Sequence, residues 1–312
     1  MKVVDFHCDV LSKLLTDETL DFAKGGNGRL DVTYERLSRA GSLLQTFAIY
    51  IPERMENNMR SLLRSVDLMV TKVLSIQGMT LIRSASDLKE SLKKGNIGAL
   101  LSLEGADGLG GDMTNLRILY YLGVRALGIT WNHSNWAADG VLEPRQGGLT
   151  KKGRLLVKAC NDLGILLDVS HLTDRGFWEV ADLSAKPFLA SHSNARTVCE
   201  HPRNLTDDQI RAMIAMDGRI GVTFVPWFLT RRESATIDDV LRHIEHICAM
   251  GGERQLMLGS DFDGIDRHVQ QLTHPGEITN LTESLLKRYP EELVRAIMAD
   301  NALTFLKNHL PE

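Results

Sequence analysis

Eight short apolar runs alternate with longer amphipathic stretches along the 312-residue chain, and this alternation predicts an α/β fold, a (β/α)8 barrel. Three observations carry the expectation. The runs are too short for helices and are bounded by Gly, Pro, Asp or Asn. The stretches between them place apolar residues at helical spacing. Five of the runs end at a histidine or a carboxylate, which a barrel would gather at one rim. A doubly wound open sheet satisfies the same periodicity and stands as the alternative.

In chain order the predicted strands are Val3–His7, Thr46–Ile51, Gly98–Leu103, Arg125–Ile129, Ile165–Ser170, Pro187–Ser191, Ile220–Val225 and Leu256–Ser260. Between and after them, helices are predicted at Asn57–Leu74, Asn115–Leu122, Lys151–Leu163, Asp174–Leu183, Asp207–Met216, Asp238–Met250, Leu281–Arg288 and Pro290–Leu310. Asp174, Asp207 and Asp238 suit helix caps or first turns. Met79–Lys94 reads as a short strand plus helix outside the eightfold count. Nothing marks a linker or repeat, so residues 1–312 are expected to form one catalytic barrel domain.

Composition narrows the function. The 36 Lys+Arg against 40 Asp+Glu give a net charge of −4, without the basic stripe that a nucleic-acid binder needs. Hydrophobic residues at 43% place the chain among globular proteins rather than disordered ones. Cys8, Cys160, Cys199 and Cys248 lack CxxC spacing and read as reduced thiols, Cys8 as packing. No apolar run approaches the ~18 residues of a membrane span. His7 lies too near the start to leave room for a leader, so a soluble cytoplasmic protein is expected.

The chemistry sits at the strand ends. In Asp5-Phe6-His7-Cys8-Asp9, residues two apart face the same way, so His7 and Asp9 project together as half of a metal site or as a histidine held by a carboxylate. Leu101-Ser102-Leu103-Glu104-Gly105 ends an apolar run in a carboxylate, whose burial a pair of cations would offset as well as a salt bridge would. His171 and His192 each follow an apolar strand directly. Asp261, just past the last strand, is the candidate proton-handling group; Asp263, before Gly264, reads as turn chemistry. His243 and His246 lie three apart on a helix, and His201, His268, His274 and His309 sit in loops or terminal stretches. All six are set aside. HExxH, GxSxG and Walker patterns are absent.

The set DFHCD, LSLEG, LLDVSH, ASHSNARTVCEHPRNLTDD and GSDFDG, with the late ADNALTFL, resembles the renal (membrane) dipeptidase family, zinc peptidases of the amidohydrolase superfamily. The resemblance implies a barrel of the metallo-dependent hydrolase type with two zinc ions. His7 and Asp9 would bind one, His171 and His192 the other, and Glu104 would bridge them. It further implies that Arg203 receives the substrate carboxylate, that Asp261 serves as the acid at the end of strand eight, and that a hydroxide bridging the zinc ions attacks the peptide bond of a free dipeptide, L-D as well as L-L. Mammalian members carry a histidine after strand four that polarises the scissile carbonyl. Here Trp131 falls at that position, leaving His133, Asn132 or another donor for the task. A membrane anchor has no counterpart, and a homodimer is left open. The competing readings are a lactonase, deaminase or N-acyl amino acid hydrolase on the same metal pair, and a non-catalytic binding barrel.

Overall fold

The computed structural model describes residues 1–24 and 28–312. Its nine parallel strands are β1 (Val3–Asp5), β2 (Ser42–Ile49), β3 (Met79–Leu81), β4 (Ile97–Glu104), β5 (Val124–Gly128), β6 (Leu166–Asp168), β7 (Leu189–Ala190), β8 (Arg219–Val222) and β9 (Leu256–Leu258). Pairing runs β1–β2–β4–β5–β6–β7–β8–β9 and returns to β1, so eight strands close a barrel. This closure excludes the open sheet. The ninth, β3, lies outside the ring, as expected for an insertion. It pairs with Ile97–Ala99 of β4 on the edge that β5 takes over from Leu101 onward.

Helices at Lys151–Leu163 and Asp174–Leu183 occupy the predicted ranges. Thr150, Thr173 and Thr206 accept backbone N–H bonds as caps, which leaves Asp174 and Asp207 in first turns, where their charge favours the helix dipole. Two long expectations are interrupted. Met59–Leu68 runs on through a π-turn at Met69–Val73, and the last stretch divides into Glu291–Arg295, a π-turn at Ala296–Asp300, and Asn301–His309. Three short helices went unpredicted: Val10–Thr16, Tyr34–Ala40 and Pro226–Leu229. Seven residues or fewer span at most two turns, too few to establish a period.

The core has two parts. A large cluster lies between barrel and helices, and Cys8 belongs to it, facing away from His7 as expected. A smaller one takes a residue from each of seven barrel strands, from Val4 to Met257, together with Phe305 and Leu306 of the last helix. Leu100 in this set shares a strand face with Glu104, so these side chains fill the barrel beneath the rim. Two glycines are required there. A Cβ on Gly221 or on Gly259 would overlap the Ser191 carbonyl oxygen. Their absence of a side chain lets the end of β7, and with it His192, come in toward the barrel axis.

Gly221→Ala should therefore cost at least about 1–3 kcal/mol of overpacking, seen as a melting temperature lowered by several degrees. Melting at the wild-type temperature would show that the strands do not approach this closely.

Candidate metal centre

The groups that end the strands meet at one rim. Glu104 closes β4, fully within the barrel mouth, and its two oxygens face different partners. Oε1 lies 2.9 Å from His171 Nε2 and 3.7 Å from His192 Nε2; Oε2 lies 3.5 Å from His7 Nε2. His7 Nε2 is also 3.4 Å from Asp9 Oδ2 and 3.7 Å from Asp261 Oδ1. Asp9 is the cap residue before the Val10–Thr16 helix. His171, at φ 73°, and Asp261, at φ 67°, hold left-handed backbone that non-glycine residues seldom adopt. Both turn inward just past their strands.

Hydrogen bonds fix which imidazole nitrogen faces the centre. Asn132 Oδ1, which can only accept, is 2.8 Å from His171 Nδ1, so the proton lies on Nδ1. The Ser191 hydroxyl donates to Asp168 and accepts from His192 Nδ1 at 2.7 Å, which assigns the same tautomer there. Asp168 also takes the Ser170 and Ser191 N–H groups at 3.0 and 2.9 Å. Both Nε2 lone pairs then point at each other across 2.8 Å, beside Glu104 Oε1, with no proton between them. Three acceptors converging in this way call for a cation. On the other side, His7 Nε2 and Asp9 Oδ1 are buried without a hydrogen-bond partner among the described residues, with three carboxylates around His7. The donor set thus fits two metal ions: His, Asp and Glu suit zinc, and no cysteine is among them.

Electrostatics follow the same division. Burial works against a charged His7, but Glu104 and Asp9 outweigh it and raise the imidazole well above its usual range. Burial, then the charge of Arg203, brings His171 down to about 3; burial, then His7, holds His192 well below the usual imidazole value. For Glu104 burial acts upward, yet the adjoining His7 and His171 hold it well below the carboxylate range. Asp261 moves the opposite way, raised well above that range by burial, with Asp9 and Glu104 adding to the rise.

Arg203 lines the cavity in front of these groups. It is 5% exposed; among the described residues its Nε has no partner, and its guanidinium makes only a 3.5 Å bond to the His192 carbonyl and a contact 5.1 Å over the Phe228 ring. Among the described residues no carboxylate forms an ion pair with it. Burial lowers it only to about 10, so it stays charged at neutral pH.

Not every expectation lands in the cavity. His133 is exposed, points to Glu53 at 3.5 Å and does not line the cavity; Trp131 and Asn132 do. His201, set aside in the sequence, is a lining residue, and so are Tyr50, Trp227 and Phe228. No sequence signal singled these out: they come from loops whose direction depends on the closed barrel. His243 is buried and structural, bonded to the Ala195 N–H and the Leu229 carbonyl, both at 3.1 Å. His246 and His268 pair with Asp207 and Asp31, each at 2.8 Å. Asp263 exceeds a turn role: its carboxylate takes the Asp31 and Val32 N–H groups at 2.8 and 2.9 Å, while Asp31 takes the Asp263 N–H at 3.1 Å. That exchange anchors the loop carrying Asp261. No helix among the described residues is long and apolar enough to cross a membrane.

A parallel eight-stranded barrel with such a rim defines a class, the metal-dependent hydrolases. Within it, the chain belongs to the membrane dipeptidase family (peptidase family M19), whose profile matches residues 1–309. It is 28% identical over 305 residues to dipeptidase tcpJ of Claviceps purpurea, covering 93% of this chain and 72% of that protein. Among solved structures it superposes on the metallopeptidase dipeptidase AC of family M19 with a TM-score of 0.92 at 29% identity, covering 100% and 99% of the two chains. A metallopeptidase from Rhodobacter sphaeroides, liganded with a phosphinate mimic of the dipeptide L-Ala-D-Ala, gives a TM-score of 0.90 at 28% identity, covering 99% of each. The protein is therefore an enzyme, a hydrolase of a metallopeptidase family.

In metal-free protein at pH 6, long-range 1H–15N NMR should show His171 and His192 as neutral Nδ1–H tautomers and His7 as doubly protonated. Titration of His171 near its ordinary value of about 6.5 would contradict the arrangement of lone pairs.

Proposed function

We propose that this enzyme hydrolyses free dipeptides, L-D as well as L-L, with two zinc ions. The observation that carries this reading is the buried, unpaired Arg203 guanidinium on the wall of a cavity whose floor is a metal-ligand set. A buried cation without a partner costs stability unless an anion from outside completes it. A free α-carboxylate does so through two parallel N–H···O bonds. That requirement also limits length, because a longer peptide carries its carboxylate too far from the scissile bond.

His7 and Asp9 would hold one ion and His171 and His192 the other, with an oxygen of Glu104 toward each. Two bound zinc ions supply Lewis acidity and a water of lowered pKa. The chain's own residues do the rest. Asn132 and the Asp168–Ser191 pair keep the two histidines in the ligating tautomer. Asp261, raised by burial, would take a proton and return it to the leaving nitrogen, and would also meet the substrate amino group. Trp131 and Asn132, not His133, border the space above Glu104. Acceptance of L-D dipeptides draws support from the relative liganded with a phosphinate mimic of L-Ala-D-Ala. Four free cysteines agree with work in a reducing compartment such as the cytoplasm.

Metal analysis of active protein should find two ions per chain, and chelation should abolish activity; trace metal in active protein would refute the reading. His171→Ala should leave roughly one ion. Losing a charge-assisted contact worth about 1.5–3 kcal/mol, Arg203→Ala should cut kcat/KM on free dipeptides about ten- to a hundredfold. C-terminally amidated dipeptides should be poor substrates of the wild type, and equal cleavage of the two would remove Arg203 from this role. Since Arg203 is charged below about 10, carboxylate recognition should hold through neutral pH and fail as pH rises past that value, read as an increase in KM.

A further inference from the structure

The cavity before the metal cluster is small, about 250 Å3, below the roughly 300–1,000 Å3 of common ligand sites. Its two sides differ in kind. On the Arg203 side, Val225, Phe228 and Ile265 form an apolar cluster of their own, at most 7% exposed, with Trp227 packed against it. All four line the cavity. His201 closes this wall with its ring 4.4 Å from that of Phe228. Its Nδ1 accepts the Arg203 backbone N–H at 3.2 Å, and burial with the charge of Arg203 brings it down to about 4, so the ring is neutral. Arg203 is the wall's one full charge, and the substrate carboxylate engages it. Arg267 stacks on Trp227 at 5.1 Å without lining the cavity. A charged side chain held here would lose its water and find no partner.

The Asp261 side is open. Asp9, Tyr50 and Gly264 border both this cavity and a second groove of about 730 Å3. Ser12, Lys13, Thr16, Pro52, Glu53 and Arg54 form part of the groove's walls, with charges of both signs at the surface. Gly264 keeps the passage clear: a Cβ there would overlap the carboxylates of Asp9 and Asp261. A side chain leaving the substrate's amino-terminal residue has a route past Tyr50 into wide, wet space. One leaving the carboxyl-terminal residue meets the apolar wall of Val225, Phe228 and Ile265 instead.

We propose that the enzyme reads the two residues of its substrate unequally. The carboxyl-terminal residue must be small and uncharged, packed on Val225, Trp227, Phe228 and Ile265. The amino-terminal residue is accepted whether small, large or charged, with its side chain in the groove beyond Gly264. This rests on the dipeptidase reading above and adds the substrate class to it.

The test is a pair of substrate series on the zinc-loaded enzyme, Ala-Xaa and Xaa-Ala, with Xaa as Ala, Leu, Phe, Lys or Glu and both stereoisomers at the carboxyl end. In Ala-Xaa, Lys and Glu should fall at least about tenfold below Ala in kcat/KM, within the range by which such pockets discriminate. In Xaa-Ala all five should agree within about tenfold. Trp227→Ala should raise the Ala-Phe to Ala-Ala ratio. Ser12→Trp, or Thr16→Trp farther along the same helix, should lower Phe-Ala and Lys-Ala relative to Ala-Ala, with metal content and melting temperature checked on the same samples. Equal or reversed selectivity, or ratios unmoved by the groove variants, would overturn the inference while leaving dipeptide hydrolysis standing. Failure to cleave any dipeptide would instead overturn the reading beneath it.

Discussion

The whole rim is organised around the cost of burying Glu104. A carboxylate almost fully withdrawn from water is tolerated only among positive partners. Here two imidazole lone pairs share the space beside one of its oxygens, and a third imidazole with two further carboxylates lies beside the other. Such a collection of acceptors is unstable in isolation. Its persistence requires outer groups that forbid the alternatives: Asn132 and Ser191 deny the histidines their other tautomer, and Asp168 holds Ser191 in turn. Strained backbone at His171 and Asp261 belongs to the same economy, since a relaxed turn would aim either side chain elsewhere.

The sequence made the barrel legible because its strands are buried on both faces and therefore read as apolar runs, with a charged or imidazole group marking where each run reaches the mouth. His7, Asp9, Glu104, His171, His192 and Asp261 all announce themselves that way, and the structure brings their side chains into one cluster. Arg203 was legible only through the resemblance, since it lies in an irregular loop thirteen residues after β7 ends.

What stayed hidden depends on direction rather than position. Asn132 and His133 are adjacent, and no periodicity says which turns inward from a loop held by bonds to distant segments, such as that from the Val141 N–H to the His171 carbonyl at 2.7 Å. Tyr50 and His201 face the cavity only because β2 and the loop after β7 stand on either side of a closed ring. The Asp31–Asp263 exchange joins residues 232 apart in the chain, beyond the reach of any local pattern. Short helices and π-turns escaped for a simpler reason: the former are too brief to show a period, and the latter shift it by one residue midway.

Closure of the ring between its first and last strands has a consequence for how the molecule comes into being. Asp5 in β1 takes the Ser260 N–H at 2.9 Å from 255 residues away, and the β1 backbone pairs with β9. His7 leaves the ribosome long before the strand beside it, because 255 residues separate Asp5 from Ser260. A nascent chain thus holds a half-built cylinder with two raw edges until its last strand emerges, the stage at which chaperone shelter counts most. Chains cut short before residue 256 would lack that closing strand and, with it, Asp261 at the rim.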